Sequence, residues 1–229
     1  WKKPEHLIWD YKSKKNDITV YVDNEIEMSL KDNNDGKIKY GWLQESKLIA
    51  PNINQKIKNN PTKYLKNLDG IFTCDEELLK IDKKFLWVPA CGVWIEEYGG
   101  KEKTQLISMI TSKKIMTPQQ KFRVNFANNH RKKIHVFGNG YNPIPKKEKG
   151  LDTYMFSIAI ENATYDTYFT EKIMDCFATK TIPIYKGTKK IKNFFNEKGI
   201  IFLDEINNDI SKINKNLYEE KINYVEENF

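Results

Sequence analysis

Short apolar, β-branched runs alternate with helical stretches along this chain, and that alternation constrains its fold more than any other feature. In the first half, Ile18–Val22, Lys39–Leu43, Gly70–Cys74 and Phe85–Pro89 read as strands. Helical stretches fall between them, from Pro51 past Pro61 to Leu65 and over Glu76–Ile81. The second half repeats the order. Strands at Leu106–Ile110, Ile134–Gly138, Met155–Ile160, Ile182–Tyr185 and Ile200–Leu203 alternate with helices at Pro118–His130, Thr170–Thr179 and Lys189–Asn196, followed by a helical tail from Ile210. Strand–helix–strand order calls for parallel sheets with crossover helices, because parallel neighbours cannot be joined by a tight hairpin. The run Gly99-Gly100-Lys101-Glu102-Lys103 is the natural linker. The expectation is an α/β protein of two small Rossmann-like halves, residues 1–100 and 101–229, the second ending in a helix.

Composition excludes several alternatives. With 39% hydrophobic and 13% aromatic residues in 229, the chain can bury a core and is no disordered tail. No apolar run approaches the roughly 20 residues that cross a bilayer, and the opening Trp1-Lys2-Lys3-Pro4 lacks the apolar stretch of a signal peptide. Cys74, Cys91 and Cys176 are widely spaced and odd in number, which disfavours a disulfide framework or zinc site and fits a reducing compartment. The histidines, His6, His130 and His135, are too scattered to suggest a metal centre. These features predict a soluble, cytoplasmic protein without a metal.

The formal charge of +7 is local in origin: residues 111–150 carry 10 Lys and Arg against one Glu, while both flanks are near neutral. Such a segment attracts phosphate, whether of nucleic acid, lipid or a nucleotide diphosphate. The run Lys146-Lys147-Glu148-Lys149 follows Pro143 and Pro145 in loop-like sequence without interleaved stacking aromatics, which argues against nucleic acid.

The chemistry concentrates in Phe156-Ser157-Ile158-Ala159-Ile160-Glu161-Asn162, then Tyr168-Phe169-Thr170-Glu171-Lys172, then Ile182-Pro183-Ile184-Tyr185-Lys186-Gly187. A buried strand ends in Glu161-Asn162, and after a polar loop Thr170 is placed to cap a helix whose first turn carries Glu171 and Lys172. In open α/β sheets ligands bind beyond the carboxyl ends of strands, where a helix N-terminus offers free N–H groups to phosphate. A lysine in a first helical turn opposes the helix dipole, so Lys172 suggests a bound anion.

These residues, at these spacings, resemble the donor-binding motif of family-10 glycosyltransferases, the α1,3/α1,4-fucosyltransferases: Phe-x-x-x-x-Glu-Asn, Tyr-x-Thr-Glu-Lys, a helix, and Pro-[Ile/Val]-x-x-Gly. The match comprises Phe156, Glu161, Asn162, Tyr168, Thr170, Glu171, Lys172, Pro183 and Gly187 and extends upstream to Arg123, Phe126 and Gly138, so that it covers roughly residues 105–204. The resemblance implies a compact GT-B-like enzyme whose parallel sheets face a cleft, with the donor held by the C-terminal half and the acceptor by the N-terminal half. It implies inverting transfer of a sugar, L-fucose from GDP-fucose, onto a glycan hydroxyl, without an obligatory cofactor or metal. Another nucleotide-activated deoxysugar, or a non-catalytic nucleotide-sugar or nucleic-acid binding module, stays open as an alternative. The membrane anchor and stem of the animal enzymes are missing from this sequence, which suggests a microbial or viral version.

By the same resemblance, Arg123 and Lys172 are the cations that hold the donor diphosphate, and Asn162, Tyr168, Thr170 and Glu171 complete the donor-binding set. Lys121, Arg131, Lys132 and Lys133 compete with Arg123, but Arg123 has the family spacing to both Phe126 and Gly138. Glu45, at the end of a strand with Pro51 in the loop beyond it, is the candidate catalytic base, with Glu25, Glu27, Glu96 and Glu97 as rivals. Trp87 and Trp94 could stack on the apolar face of an acceptor sugar or pack as core.

Overall fold

The structure, a computed structural model, describes residues 17–32, 37–90 and 92–229. Trp1–Pro4, His6 and Cys91, named above, lie outside the described residues. Two compact units divide between Cys91 and Gly92.

In the first unit, β1 (Ile18–Val22), β2 (Ile38–Trp42), β3 (Gly70–Thr73) and β4 (Phe85–Trp87) form a parallel sheet in the order β1-β2-β3-β4. Its connections are a 3-10 helix over Asp23–Lys31, α1 (Pro51–Asn59), α2 (Pro61–Leu65) and α3 (Glu76–Leu79). Pro51 and Pro61 occupy first helical positions, where the missing N–H costs nothing. Asn60 ends α1 and its side chain accepts the Lys63 N–H of α2, so one residue breaks the two helices apart. Ile26, Leu43, Ile53, Ile57, Leu68, Ile71 and Leu78 form the core.

The second unit holds β5 (Gln105–Ile110), β6 (His135–Phe137), β7 (Tyr154–Ile160), β8 (Ile182–Lys186) and β9 (Ile201–Phe202), all parallel, in the order β6-β5-β7-β8-β9. Its helices are α4 (Pro118–His130), α5 (Glu171–Ala178) and α6 (Lys215–Glu226). All seven residues of β7 are buried, which explains its unbroken apolar character: a central parallel strand is covered on both faces. The strand order reverses between β5 and β7, and such a switch point opens a crevice at the carboxyl edge of a doubly wound sheet.

Expected strands and helices recur with small shifts, and four differences have physical reasons. The division lies at residues 91/92 instead of 100/101, because the intervening strip is bonded to the second unit: Trp94 N–H donates to Asp175 Oδ1 at 2.7 Å and Gly99 N–H to the Ala178 carbonyl at 2.8 Å. The helix expected over Lys189–Asn196 is a 3-10 turn of Lys189–Asn193, capped by the Thr188 hydroxyl. The tail is helical only from Lys215. Asn214 caps α6 there, after turns in which Asn207 and Asn208 take positive φ values of 52° and 58°. The 3-10 helix over Asp23–Lys31 had no sequence forecast; Ile26 anchors it in the core. No helix of the described residues is long and apolar enough to cross a membrane.

Candidate functional site

The switch point carries the motif residues. Glu161 and Asn162 immediately follow β7, and the N-termini of α4 and α5 converge on them. Thr117 precedes Pro118 at the start of α4 and does two jobs with one hydroxyl: it accepts the Gln120 N–H at 3.0 Å, capping the helix, and donates to the Asn162 carbonyl at 2.7 Å. That second bond fastens the α4 N-terminus to the end of β7.

Arg123 is only 6% exposed, while Lys121, Arg131, Lys132 and Lys133 all face solvent. Its Nη1 donates to Asn162 Oδ1 at 2.8 Å and to the Ile160 carbonyl at 3.4 Å. Its Nε–H is buried without a hydrogen-bond partner among the described residues. Burial pushes the guanidinium pKa down, opposed by the charges of Glu161 and Glu171, and an arginine nonetheless remains cationic. A buried cation with one unsatisfied donor is suited to receive an anionic oxygen.

Glu161 organises the other wall. Its carboxylate is fully buried and accepts the Thr170 N–H at 2.9 Å, the Thr170 hydroxyl at 2.7 Å and the Lys172 ammonium at 3.2 Å. Thr170 sits at the N-cap position of α5 as expected, but its hydroxyl makes no capping bond to the helix. It serves Glu161 instead and also accepts from Lys172 at 2.8 Å. The anion beside Lys172 is therefore, in the first place, an internal carboxylate. Burial alone would lower the Lys172 pKa, but Glu161 and Glu171 reverse the effect and raise it, so the ammonium stays charged with its side chain 20% exposed.

Behind this wall, the Tyr185 phenol is 1% exposed, and burial followed by the nearby Glu161 charge raises its pKa well above the ordinary value. A Cβ at Gly187 would fall 2.2 Å from the Tyr185 hydroxyl, which explains the glycine in the motif. Tyr168 is buried beside Tyr165, ring centroids 4.9 Å apart. Glu171 is bound 3.0 Å from Lys147.

The structure thus brings together Arg123, Asn162, Thr170, Glu171 and Lys172. Glu45 lies in the other unit, just past β2, exposed; its N–H and that of Gln44 both donate to Asp23 Oδ1, at 3.2 and 3.0 Å. Asp23 holds this turn from a left-handed φ of 48°. Among its rivals, Glu27 is paired with Lys56 and Glu96 with Lys146. Trp87 ends β4 in the first unit, whereas Trp94 belongs to the second, 46% exposed with the Lys147 ammonium 4.5 Å above its ring. Among the described residues no group of three or more His, Cys, Asp or Glu is placed to hold a metal ion.

Sequence alone assigns no role to Thr117, Glu161 or Asp23. Thr117-Pro118 was legible as a helix start, and Glu161 stood in the motif, but its three donors come from nine to eleven residues downstream and only folding assembles them.

A family model described as glycosyltransferase family 10 (fucosyltransferase) C-term matches residues 100–226. The alpha-(1,3)-fucosyltransferase FucT of Helicobacter pylori is 33% identical over 86 residues, 38% of this chain and 16% of that protein. Alpha-(1,3)-fucosyltransferase B of Drosophila melanogaster is 40% identical over 65 residues, 28% of this chain and 15% of that protein. The matched segments thus span about a sixth of these relatives. An alpha1,3-fucosyltransferase crystal structure is similar at a TM-score of 0.52 and 17% identity, over 91% of this chain and 65% of that one. The TarM crystal structure is similar at 0.61 and 13%, over 92% and 51%. At these identities the likeness shows the fold, two parallel α/β units of the GT-B type.

Proposed function

The chain belongs to glycosyltransferase family 10, and from that premise we propose that it transfers L-fucose from GDP-fucose, with inversion, onto a glycan hydroxyl. The observation that carries this is the pair of cations at the switch point: buried Arg123, tied to Asn162 with one donor unspent, and Lys172, held by Glu161 at the first turn of α5. The FucT relative from Helicobacter pylori is named as an alpha-(1,3)-fucosyltransferase, which supports the choice of sugar.

In this reading the second unit, from Gly92 on, binds the donor. Arg123, Lys172 and the N-terminal amides of α5 hold the diphosphate, and the two side chains stabilise the negative charge that grows on the leaving phosphate, where fixed cations contribute most. Asn162, Tyr168, Thr170 and Glu171 complete the donor pocket: Asn162 and Thr170 chiefly by orienting Arg123 and Lys172, Glu171 and Tyr168 by hydrogen bonds to donor hydroxyls. The first unit binds the acceptor, with Trp87 as a stacking surface. Trp94, in the second unit and 46% exposed, is a further candidate for stacking on a sugar. The Glu45 carboxylate takes the proton from the acceptor hydroxyl as that oxygen attacks the anomeric carbon and the bond to GDP breaks. Two fixed cations supply the charge that a divalent ion supplies in metal-dependent transferases. The protein acts in the cytoplasm.

The test is transfer of labelled fucose from GDP-fucose to a panel of oligosaccharide acceptors. Glu45→Gln should bind GDP-fucose as the wild type does and lose transfer by 100-fold or more, on the order of a general base's contribution. Full transfer in that variant would remove Glu45 as the base, and no transfer by wild type to any acceptor, with no release of GDP from the donor, would remove the enzymatic reading.

A further inference from the structure

Lys147 opens a 3-10 turn of Lys147–Gly150 and reaches across to α5. Its ammonium lies 2.7 Å from Asp175 Oδ2 and 3.0 Å from Glu171 Oε1, two carboxylates one turn apart on the same helix. Asp175 is 2% exposed at its side chain and Glu171 15%. The other Asp175 oxygen accepts the Trp94 N–H at 2.7 Å, and the Trp94 ring lies under the same Lys147 ammonium, 4.5 Å away. Two further contacts join these segments: Glu96 N–H donates to Glu148 Oε1 at 2.8 Å, and Lys146 pairs with Glu96. Much of the positive charge at Lys146 and Lys147 is thus consumed internally.

Unscreened, Glu171 and Asp175 would repel each other at i,i+4, and Glu161 would add to the repulsion on Glu171. The Lys147 ammonium sits between them and offsets that repulsion, with Lys172 a second cation 3.9 Å from Glu171, and so lets Asp175 stay buried. Lys147 has no place in the donor-binding set read from the sequence.

We propose that Lys147 is a positioning residue for the donor site: it holds the Glu171 carboxylate in the orientation that receives the donor, and ties the Trp94 strip to the same helix. This rests on the reading of α5 as the donor helix. Lysine is suited to the task because a compact ammonium can serve two carboxylates and an aromatic face at once.

The experiment is calorimetric titration of GDP into the full chain, with initial rates against GDP-fucose. Lys147→Met should weaken GDP about tenfold, the loss expected when a charged hydrogen-bond partner disappears, and raise the donor KM in parallel with kcat changed less than about threefold. Lys147→Arg should recover most of the affinity. In a Glu171→Gln background, Lys147→Met should cost little more, because a residue acting through Glu171 has nothing left to position; a purely structural lysine would cost the same in both backgrounds. Lys147→Gln, which keeps a hydrogen-bonding head, carries the same expectations should the methionine variant fail to fold. Wild type that binds GDP while Lys147→Met binds it equally well overturns this proposal alone; wild type that binds no GDP overturns the donor-helix reading with it.

Discussion

The Glu161 carboxylate, shut off from solvent, lies 3.2 Å from the Lys172 ammonium and holds the Thr170 amide and hydroxyl as well. A strand end and a helix start nine residues apart are thereby locked into one unit, with a cation on its outer side. Glu161→Gln would turn an amide N–H₂ toward donors and leave Lys172 without its counter-charge. Removing one member of a buried pair costs about 3 kcal/mol or more. Urea unfolding should show that loss; a change under about 0.5 kcal/mol would mean the pair is not maintained in solution.

Arg123→Lys tests whether geometry matters beyond charge. Lysine keeps the cation but cannot both bond Asn162 and present a second planar N–H. GDP affinity should drop about tenfold or more, while the unfolding midpoint moves little. Unaltered affinity would place the diphosphate elsewhere.

At the end of β6, Gly138 has a φ of +110°, and an added Cβ would come within 2.0 Å of the Thr111 carbonyl oxygen. Neither the backbone angle nor the contact can relax cheaply, so Gly138→Ala should destabilise by about 2 kcal/mol or more. Gly92→Ala, where nothing lies within 4 Å, should be near neutral. Equal effects at the two positions would contradict the placement of β6 against the loop after β5.

Lys103 gives a pH signature. Burial depresses its pKa from 10.5 to about 8, despite Asp152, and its ammonium bonds the Asp152 and Thr179 carbonyls at 2.8 and 2.7 Å. Between those values the unfolded chain binds the proton that the folded chain has released, so stability attributable to this residue should rise with pH from about 8 to about 10.5. The difference in unfolding free energy between wild type and Lys103→Met should follow that slope. A flat difference over that range would show that the carbonyl bonds hold the lysine fully protonated.

Much of this architecture could be read in advance because parallel strands covered on both faces leave unbroken apolar runs, as in Tyr154–Ile160, and because Pro118 and Pro51 mark helix starts with local chemistry. Arg123 stood out by its spacing to Phe126 and Gly138, and the structure adds the reason it differs from Lys121 and Arg131: it alone of the three turns inward. What escaped was long-range. Local sequence marks the Thr170 hydroxyl as a helix cap, but it donates to Glu161 instead. Gly99-Gly100 looked like a boundary, but hydrogen bonds from Trp94 and Gly99 to α5 and the residue that ends it draw that strip into the second unit. Lys147 looked like one charge in a basic run, and its partners lie 24 and 28 residues away. Pairings of this kind leave no local pattern.

The most direct test is thermal unfolding with GDP, GDP-fucose, UDP and CMP, for wild type and Lys172→Ala. A ligand at 100 times its dissociation constant stabilises by about 2.7 kcal/mol, a readily measured shift. A diphosphate held by Arg123 and Lys172 predicts stabilisation of wild type by GDP and GDP-fucose over UDP and CMP, and its loss in Lys172→Ala. No stabilisation by any nucleotide, or undiminished stabilisation in the variant, would contradict it.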